Sequence, residues 1–137
     1  MGRLLAILFL FGQLQTANDL FEKAQYADAI AAYENIPAAE RTAPIENRLG
    51  MSYHFLNKLR EAEAAYREAI KLDAKYSDAY NNLGVLYYSR KNFSPAEREF
   101  RHALEADAEN SAARKNLRAV RLTGMKCLAL EMISIFR

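Results

Sequence analysis

Apolar and small residues recur along this chain at helical intervals. Leu49, Gly50 and Tyr53 stand at i, i+1 and i+4, and Ala62, Tyr66 and Ala69 at i, i+4 and i+7. Each block therefore predicts one helix with one buried stripe. Both blocks return after 34 residues: Glu46-Asn47-Arg48-Leu49-Gly50-Met51-Ser52-Tyr53 aligns with Tyr80-Asn81-Asn82-Leu83-Gly84-Val85-Leu86-Tyr87, and Ala62, Tyr66 and Ala69 with Ala96, Phe100 and Ala103. Arg114-Lys115-Asn116-Leu117-Arg118 begins a further copy in the same phase, and Ala29, Tyr33 and Ile36 precede the second block one residue closer. No segment alternates with the two-residue period of a strand. The residues Leu56-Asn57-Lys58-Leu59 and Ser89-Arg90-Lys91-Asn92-Phe93 predict tight turns, and Ser94-Pro95-Ala96-Glu97 reads as a capping box that starts a helix.

A small residue opposite an aromatic one suits two helix backbones that approach closely, with Gly50, Gly84, Ala62 and Ala96 at the contact and Tyr53, Tyr66, Tyr87 and Phe100 around it. A 34-residue helix-turn-helix unit with aromatic-x-x-Leu-Gly-x-x-Tyr followed by Ala-x-x-x-Phe resembles the tetratricopeptide repeat. Tyr80, Leu83, Gly84, Tyr87, Ala96 and Phe100 carry the resemblance, and Ala74 and Ala108 stand where the pattern usually ends in Pro, which predicts smoother turns between repeats. The resemblance implies an all-α fold, an α-solenoid of antiparallel helix pairs in a right-handed superhelix, with about three repeats and a C-terminal capping helix. The repeats fall at about 10–42, 43–76 and 77–110, with the cap at 111–122, in a repeat domain spanning 13–122. In the first repeat Ala17, Leu20, Phe21, Tyr26, Ala29 and Tyr33 fit, whereas Gln13 and Thr16 replace large apolar residues. In the cap Leu117 keeps the core contact while Arg114, Arg118 and Arg121 give the polar outer face of a terminal unit, and Thr123-Gly124 is expected to end the helix.

In tetratricopeptide proteins the first helix of each pair lines a concave groove that takes an extended peptide or a helix. The resemblance places that peptide-binding groove on Asn47, Arg48, Met51 and Phe55 of the second repeat, on Asn81, Asn82, Val85 and Tyr88 of the third, and on Lys115, Asn116 and Ala119 of the cap. Arg48, Asn82 and Asn116 recur every 34 residues, which predicts a column of hydrogen-bond donors suited to a peptide backbone. A subgroup of the family grips a C-terminal carboxylate with Lys and Arg. That clamp is absent from this sequence, because Leu14 and Asp78 stand where it needs Lys and Asn82 where it needs Arg.

Composition narrows the remaining choices. With 137 residues the chain is long enough for one core-forming domain, and 51% hydrophobic with 26% charged residues is ordinary globular composition. The 19 basic residues are interleaved with 17 acidic ones, for a net charge of +2, and form no phosphate-binding stripe, so nucleic acid is not expected as a partner. His54 and His102 lie in different repeats with no paired ligand spacing, Cys127 has no histidine near it in sequence, and no glycine-rich phosphate loop exists. The glutamates Glu61, Glu63, Glu68, Glu97 and Glu99 alternate with Arg60, Arg67, Arg98 and Arg101 as on a solvated helix face. No catalysis, metal or cofactor is therefore expected, and the reading is a protein-interaction module for a peptide or protein partner.

The two ends depart from the repeat. Arg3 precedes the apolar run Leu4 to Phe11, with Gly12 after it, the layout of a short signal peptide over 1–12 or of an apolar extension packed on the first repeat. A cleaved signal would mean export to the periplasm or beyond the cell, and an extension would leave the chain cytoplasmic. The tail 123–137 carries Met125, Leu128, Leu130, Met132, Ile133, Ile135 and Phe136. It is expected to fold back on the last helix, with a homodimer through Met125 to Phe136 or contact with a membrane as alternatives, so that membrane contact involves only the termini. Two further roles stay open: a structural assembly element acting through that tail, and an accessory repeat segment of a larger enzyme.

Overall fold

The computed structural model describes residues 2–135, with side chains over 4–126. It is all-helical: α1 (Gly2–Glu22), α2 (Tyr26–Glu34), α3 (Ala43–Phe55), α4 (Leu59–Leu72), α5 (Ser77–Ser89), α6 (Phe93–Ala106) and α7 (Ser111–Ile135), with a 3-10 turn at Ala38–Glu40. No strand occurs among the described residues. The chain forms two compact units, Met1–Asp73 and Ala74–Arg137.

The first unit holds two helix pairs, α1 with α2 and α3 with α4. Ala17, Ala29, Ile30, Tyr33, Ile36, Ile45, Leu49 and Ala65 form its core, flanked by the partly buried Leu10, Leu14, Leu20 and Phe21. The first repeat is thus complete although its sequence is worn. Its second helix is short, and the loop after it is held by Arg41, which donates from Nε to the Ile36 carbonyl at 2.9 Å and from Nη2 to the Glu34 carbonyl at 2.9 Å. The same guanidinium pairs with buried Glu46 at 3.3 Å. One side chain therefore satisfies main-chain carbonyls at the open end of α2 and ties them to the Glu46 carboxylate of α3.

The second unit packs α6 against both α5 and α7. Ala113 and Val120 are buried and Leu117 is half-buried in α7, one period after Ala79, Leu86 and Leu83 of α5, so the cap uses the same apolar stripe. Arg121 stands one period after Tyr87 and donates from Nε to Glu97 at 3.1 Å, while Arg101 holds the same carboxylate at 2.6 Å. These hydrogen bonds, Arg121 first, lower the Glu97 pKa. Asn110 begins α7: its Oδ1 accepts from the Ala113 amide at 2.9 Å, a true N-cap, and its Nδ2 donates to Ser77 Oγ at 2.7 Å. Ser77 in turn donates to the Ala103 carbonyl at 2.8 Å, so one chain of bonds ties the start of α5 to the end of α6 and the start of α7. In place of the family's Pro, the Asp107 carboxylate accepts from the Glu109 amide at 3.0 Å and closes an Asx turn.

Two local expectations need correction. Helix α6 begins at Phe93, not after Ser94, with Asn92 flanking it and no side-chain cap. Pro95 therefore sits at the third helical position, where its missing N–H is one that has no intrahelical partner in any case, and the Glu97 carboxylate faces Arg101 and Arg121 instead of the helix start. Helix α7 also does not stop at Thr123-Gly124 but runs on to Ile135. Gly124 is not left-handed, and Thr123 satisfies itself by donating to the Ala119 carbonyl at 3.0 Å, so neither residue breaks the helix. Glycine inside a helix weakens it by roughly 1 kcal/mol without ending it. An unbroken α7 leaves no turn at which the tail could fold back on the last helix as expected, and the side chains beyond Lys126, with the alternative of pairing through the tail, lie outside the described residues.

Within each pair the turn is the same three times. Ala24, Asn57 and Lys91 have φ of 58°, 58° and 61°, and each is followed by a residue whose amide reaches back five positions, as Lys58 does to the Tyr53 carbonyl at 2.9 Å. This left-handed close of a helix suits Gly or Asn, and alanine pays a steric penalty there. Ala24→Gly is therefore expected to stabilise the protein by about 1 kcal/mol, read as a higher urea midpoint at unchanged slope.

Candidate functional site

The predicted groove residues fall into two sets, one in each unit. In the first unit Asn47 is buried, its Nδ2 3.7 Å from Met51 Sδ, and Met51 is half-buried. Arg48 donates from Nη1 to Glu22 at 2.9 Å and lies over the Phe21 ring at 5.2 Å. Burial works against its charge, but Glu22 and the Tyr33 hydroxyl outweigh that and raise its pKa. Phe55 is exposed on one side and stacks on Tyr26 on the other, with ring centres 4.5 Å apart. Phe21 closes the cluster edge-on to Tyr26 at 5.7 Å. The result is an aromatic ledge of Phe21, Tyr26 and Phe55 beside an ion pair, and Glu22 is a member of it that the repeat spacing did not reveal.

In the second unit Asn81 is buried, and its Oδ1 accepts from Asn116 Nδ2 at 2.9 Å. Asn82 is half-buried and Lys115 is exposed. Of the predicted donor column, Arg48 and Asn116 are thus engaged within their own units. Val85, Tyr88, Asn116 and Ala119 come together around a depression of about 100 Å³ floored by Phe100. Tyr88 is fixed on both sides, its ring edge-on to Phe93 at 5.5 Å and its hydroxyl 3.1 Å from Thr123 Oγ1. A rigid aromatic wall, an aliphatic wall and one amide make a small, mainly apolar cup. Phe100 and Thr123 were missed as site residues. Phe100 matched the core pattern of its helix, and Thr123 was read as a helix end.

The histidines do not converge. Burial lowers the His54 pKa, and His102 Nδ1 lies 3.3 Å from Glu99 Oε2 with its ring edge-on to Tyr80. Glu99 itself is buried, unlike the solvated residue expected from its neighbours. Among the described residues no group of acidic, histidine or cysteine side chains is arranged to hold a metal ion.

Repeated antiparallel helix pairs closed by the same left-handed turn, with a glycine of the first helix under an aromatic of the second, define an all-α helical-repeat protein. A TPR repeat model matches residues 50–90 and a tetratricopeptide repeat model matches residues 77–106. The chain is a tetratricopeptide-repeat protein. No curated protein sequence matches it. Among solved structures it is similar to the second TPR domain of human RPAP3 in complex with an HSP70 peptide, SGPTIEEVD, at TM-score 0.73 and 26% identity over 80% of this chain and 92% of that one. It is similar also to the first TPR of Spaghetti bound to an HSP90 peptide, SRMEEVD, at TM-score 0.76 and 22% identity over 83% and 91% of the two chains. The Sgt2 TPR domain of Aspergillus fumigatus superposes with TM-score 0.79 at 18% identity, over 88% of this chain and 82% of that one. Domains of this fold are generally non-catalytic interaction modules, and the fold of this chain supports a protein–protein interaction module.

Proposed function

We propose that the chain is an adaptor that captures a partner protein through an extended peptide, held at the α5 and α7 face of the second unit by one apolar side chain. The observation that carries this reading is the cup of about 100 Å³ lined by Val85, Tyr88, Asn116 and Ala119 over Phe100. A cup of that size suits a single aliphatic side chain such as Leu, Ile or Val and is too small for an indole. Lys115, exposed next to Asn116 in sequence on α7, supplies a donor for a peptide carbonyl. The RPAP3 and Spaghetti domains hold peptides that end in Glu-Glu-Val-Asp. Here Asp78 and Asn82 stand where a carboxylate clamp needs Lys and Arg, and Asp78 already faces the Asn110 amide at 3.3 Å, so recognition rests on the apolar contact instead.

Panning a displayed peptide library against the whole protein tests this. The expected outcome is a set of peptides sharing one Leu, Ile or Val, whose Kd rises at least about tenfold in the Ala119→Glu variant, where a charge enters the cup. Ala119 is exposed on a helix, so the variant keeps its fold. Enrichment of peptides that share only an acidic C-terminus, or equal affinity for the variant, would sink the proposal.

A further inference from the structure

Helix α1 is longer than its repeat needs. Its second half packs on α2, where Ala17 is fully buried and Leu14, Leu20 and Phe21 are partly so. Its first half projects: Leu4, Leu5, Ile7, Leu8, Phe9 and Phe11 are each between 59% and 69% exposed. Leu4 to Phe11 is apolar at every position, so at 100° per residue the projecting part is apolar on all sides. No charged residue lies between Arg3 and Asp19.

We infer that this projecting half of α1 is retained in the mature protein and lodges in one leaflet of a lipid bilayer, tethering the repeats to a membrane surface. The apolar coverage selects the partner. A second copy or a protein groove covers one face of a helix and would leave the other face wet, whereas acyl chains surround it. Length selects the depth. The six residues from Leu4 to Phe9, short of the core contact of Leu10, extend about 9 Å, within one leaflet of a hydrocarbon core of about 30 Å. Residues 4–22 are long and apolar enough to cross a membrane by composition, but a full crossing would pull Leu14, Ala17 and Leu20 out of the core of the first repeat. A one-leaflet lie leaves them in place. Continuity argues for retention. Gly12, where a signal peptide over 1–12 would end, lies inside one unbroken helix, and Thr16 Oγ1 donates to its carbonyl at 2.9 Å. Removal of residues 1–12 would take Leu10 from its contact with the core.

Flotation of the full chain with vesicles of phosphatidylcholine and phosphatidylglycerol is the test. The wild type is expected to rise with the lipid, and a Leu5→Glu/Leu8→Glu variant to lose at least about tenfold in partitioning with its helicity and unfolding midpoint unchanged. The chain has no tryptophan, so Leu8→Trp provides a unique fluorophore. Its emission should shift to the blue on adding vesicles and be quenched by brominated acyl chains. Any of four results would overturn the inference: a wild type that stays in the buffer, a double variant that floats equally well, lipid-free oligomers that the double variant dissolves without any flotation of the wild type, or a mature chain from expressing cells that begins after residue 12. The peptide reading of the second unit is tested separately and does not depend on this outcome.

Discussion

Gly84→Val is expected to destabilise the second unit by about 3 kcal/mol, at the upper end of the cost of overpacking a core. A Cβ at this position would lie 2.6 Å, 2.7 Å and 3.1 Å from Cε1, Cδ1 and Cζ of Phe100, a ring that is 1% exposed and cannot swing into water. The same relation holds one repeat earlier, where a Cβ on Gly50 would meet the Tyr66 ring at 2.7 Å and the Ala62 carbonyl at 3.3 Å. If the ring is the obstacle, Phe100→Leu should absorb part of the damage. The double variant should then be at least about 1 kcal/mol more stable than the sum of the two single changes predicts. Urea unfolding followed by circular dichroism measures all three, and strict additivity would mean that the glycine is needed for another reason. Gly124→Ala is the control: nothing lies within 4 Å of its added Cβ, so helix propensity alone should make it neutral or stabilising by up to about 1 kcal/mol.

That pair shows why much of the fold is readable in the sequence. A glycine and an aromatic on neighbouring helices constrain each other's volume, so both recur with the 34-residue period and mark each helix pair. The turns are legible for a similar reason at Asn57, whose side chain tolerates a left-handed backbone, but not at Ala24, which carries no such signal yet adopts φ 58°. The ends of helices are less legible still. Ser94 and Glu97 have capping-box spacing, but the helix has already begun at Phe93, and Thr123-Gly124 reads as a stop where nothing forces one. The candidate site was legible only as a register. The family resemblance placed Val85, Tyr88 and Asn116 on one face, and these do line one cup, but it could not show that Asn47 and Asn81 turn inward or that Asn116 binds Asn81. Positions that differ by one residue on a helix differ by 100° in direction, and which of two adjacent asparagines faces solvent depends on how far each helix is rotated against its neighbours.

Tyr33→Ala is expected to cost the first unit about 4 kcal/mol, as large as a truncation in either of the two repeats with clear sequence signatures. Tyr33 is fully buried, and its hydroxyl donates to Asn18 Oδ1 at 2.7 Å, joining α2 to α1. Burial raises its pKa, Arg48 opposing this only in part, so the hydroxyl stays protonated and remains a donor. Tyr33→Phe separates the two contributions. It keeps the ring but leaves the Asn18 oxygen without that donor, and should cost about 1 to 2 kcal/mol. Amide hydrogen exchange in α1, α2 and α3 reads both, with faster exchange expected throughout α1 beyond Gly12 in the alanine variant. If Tyr33→Ala shifted stability by less than 1 kcal/mol, the pair α1–α2 would be an appendage and not a repeat. Arg48 and Glu22 would then lose the support that sets them beside Phe21, and the aromatic ledge of the first unit would have no rigid base from which to contact a partner.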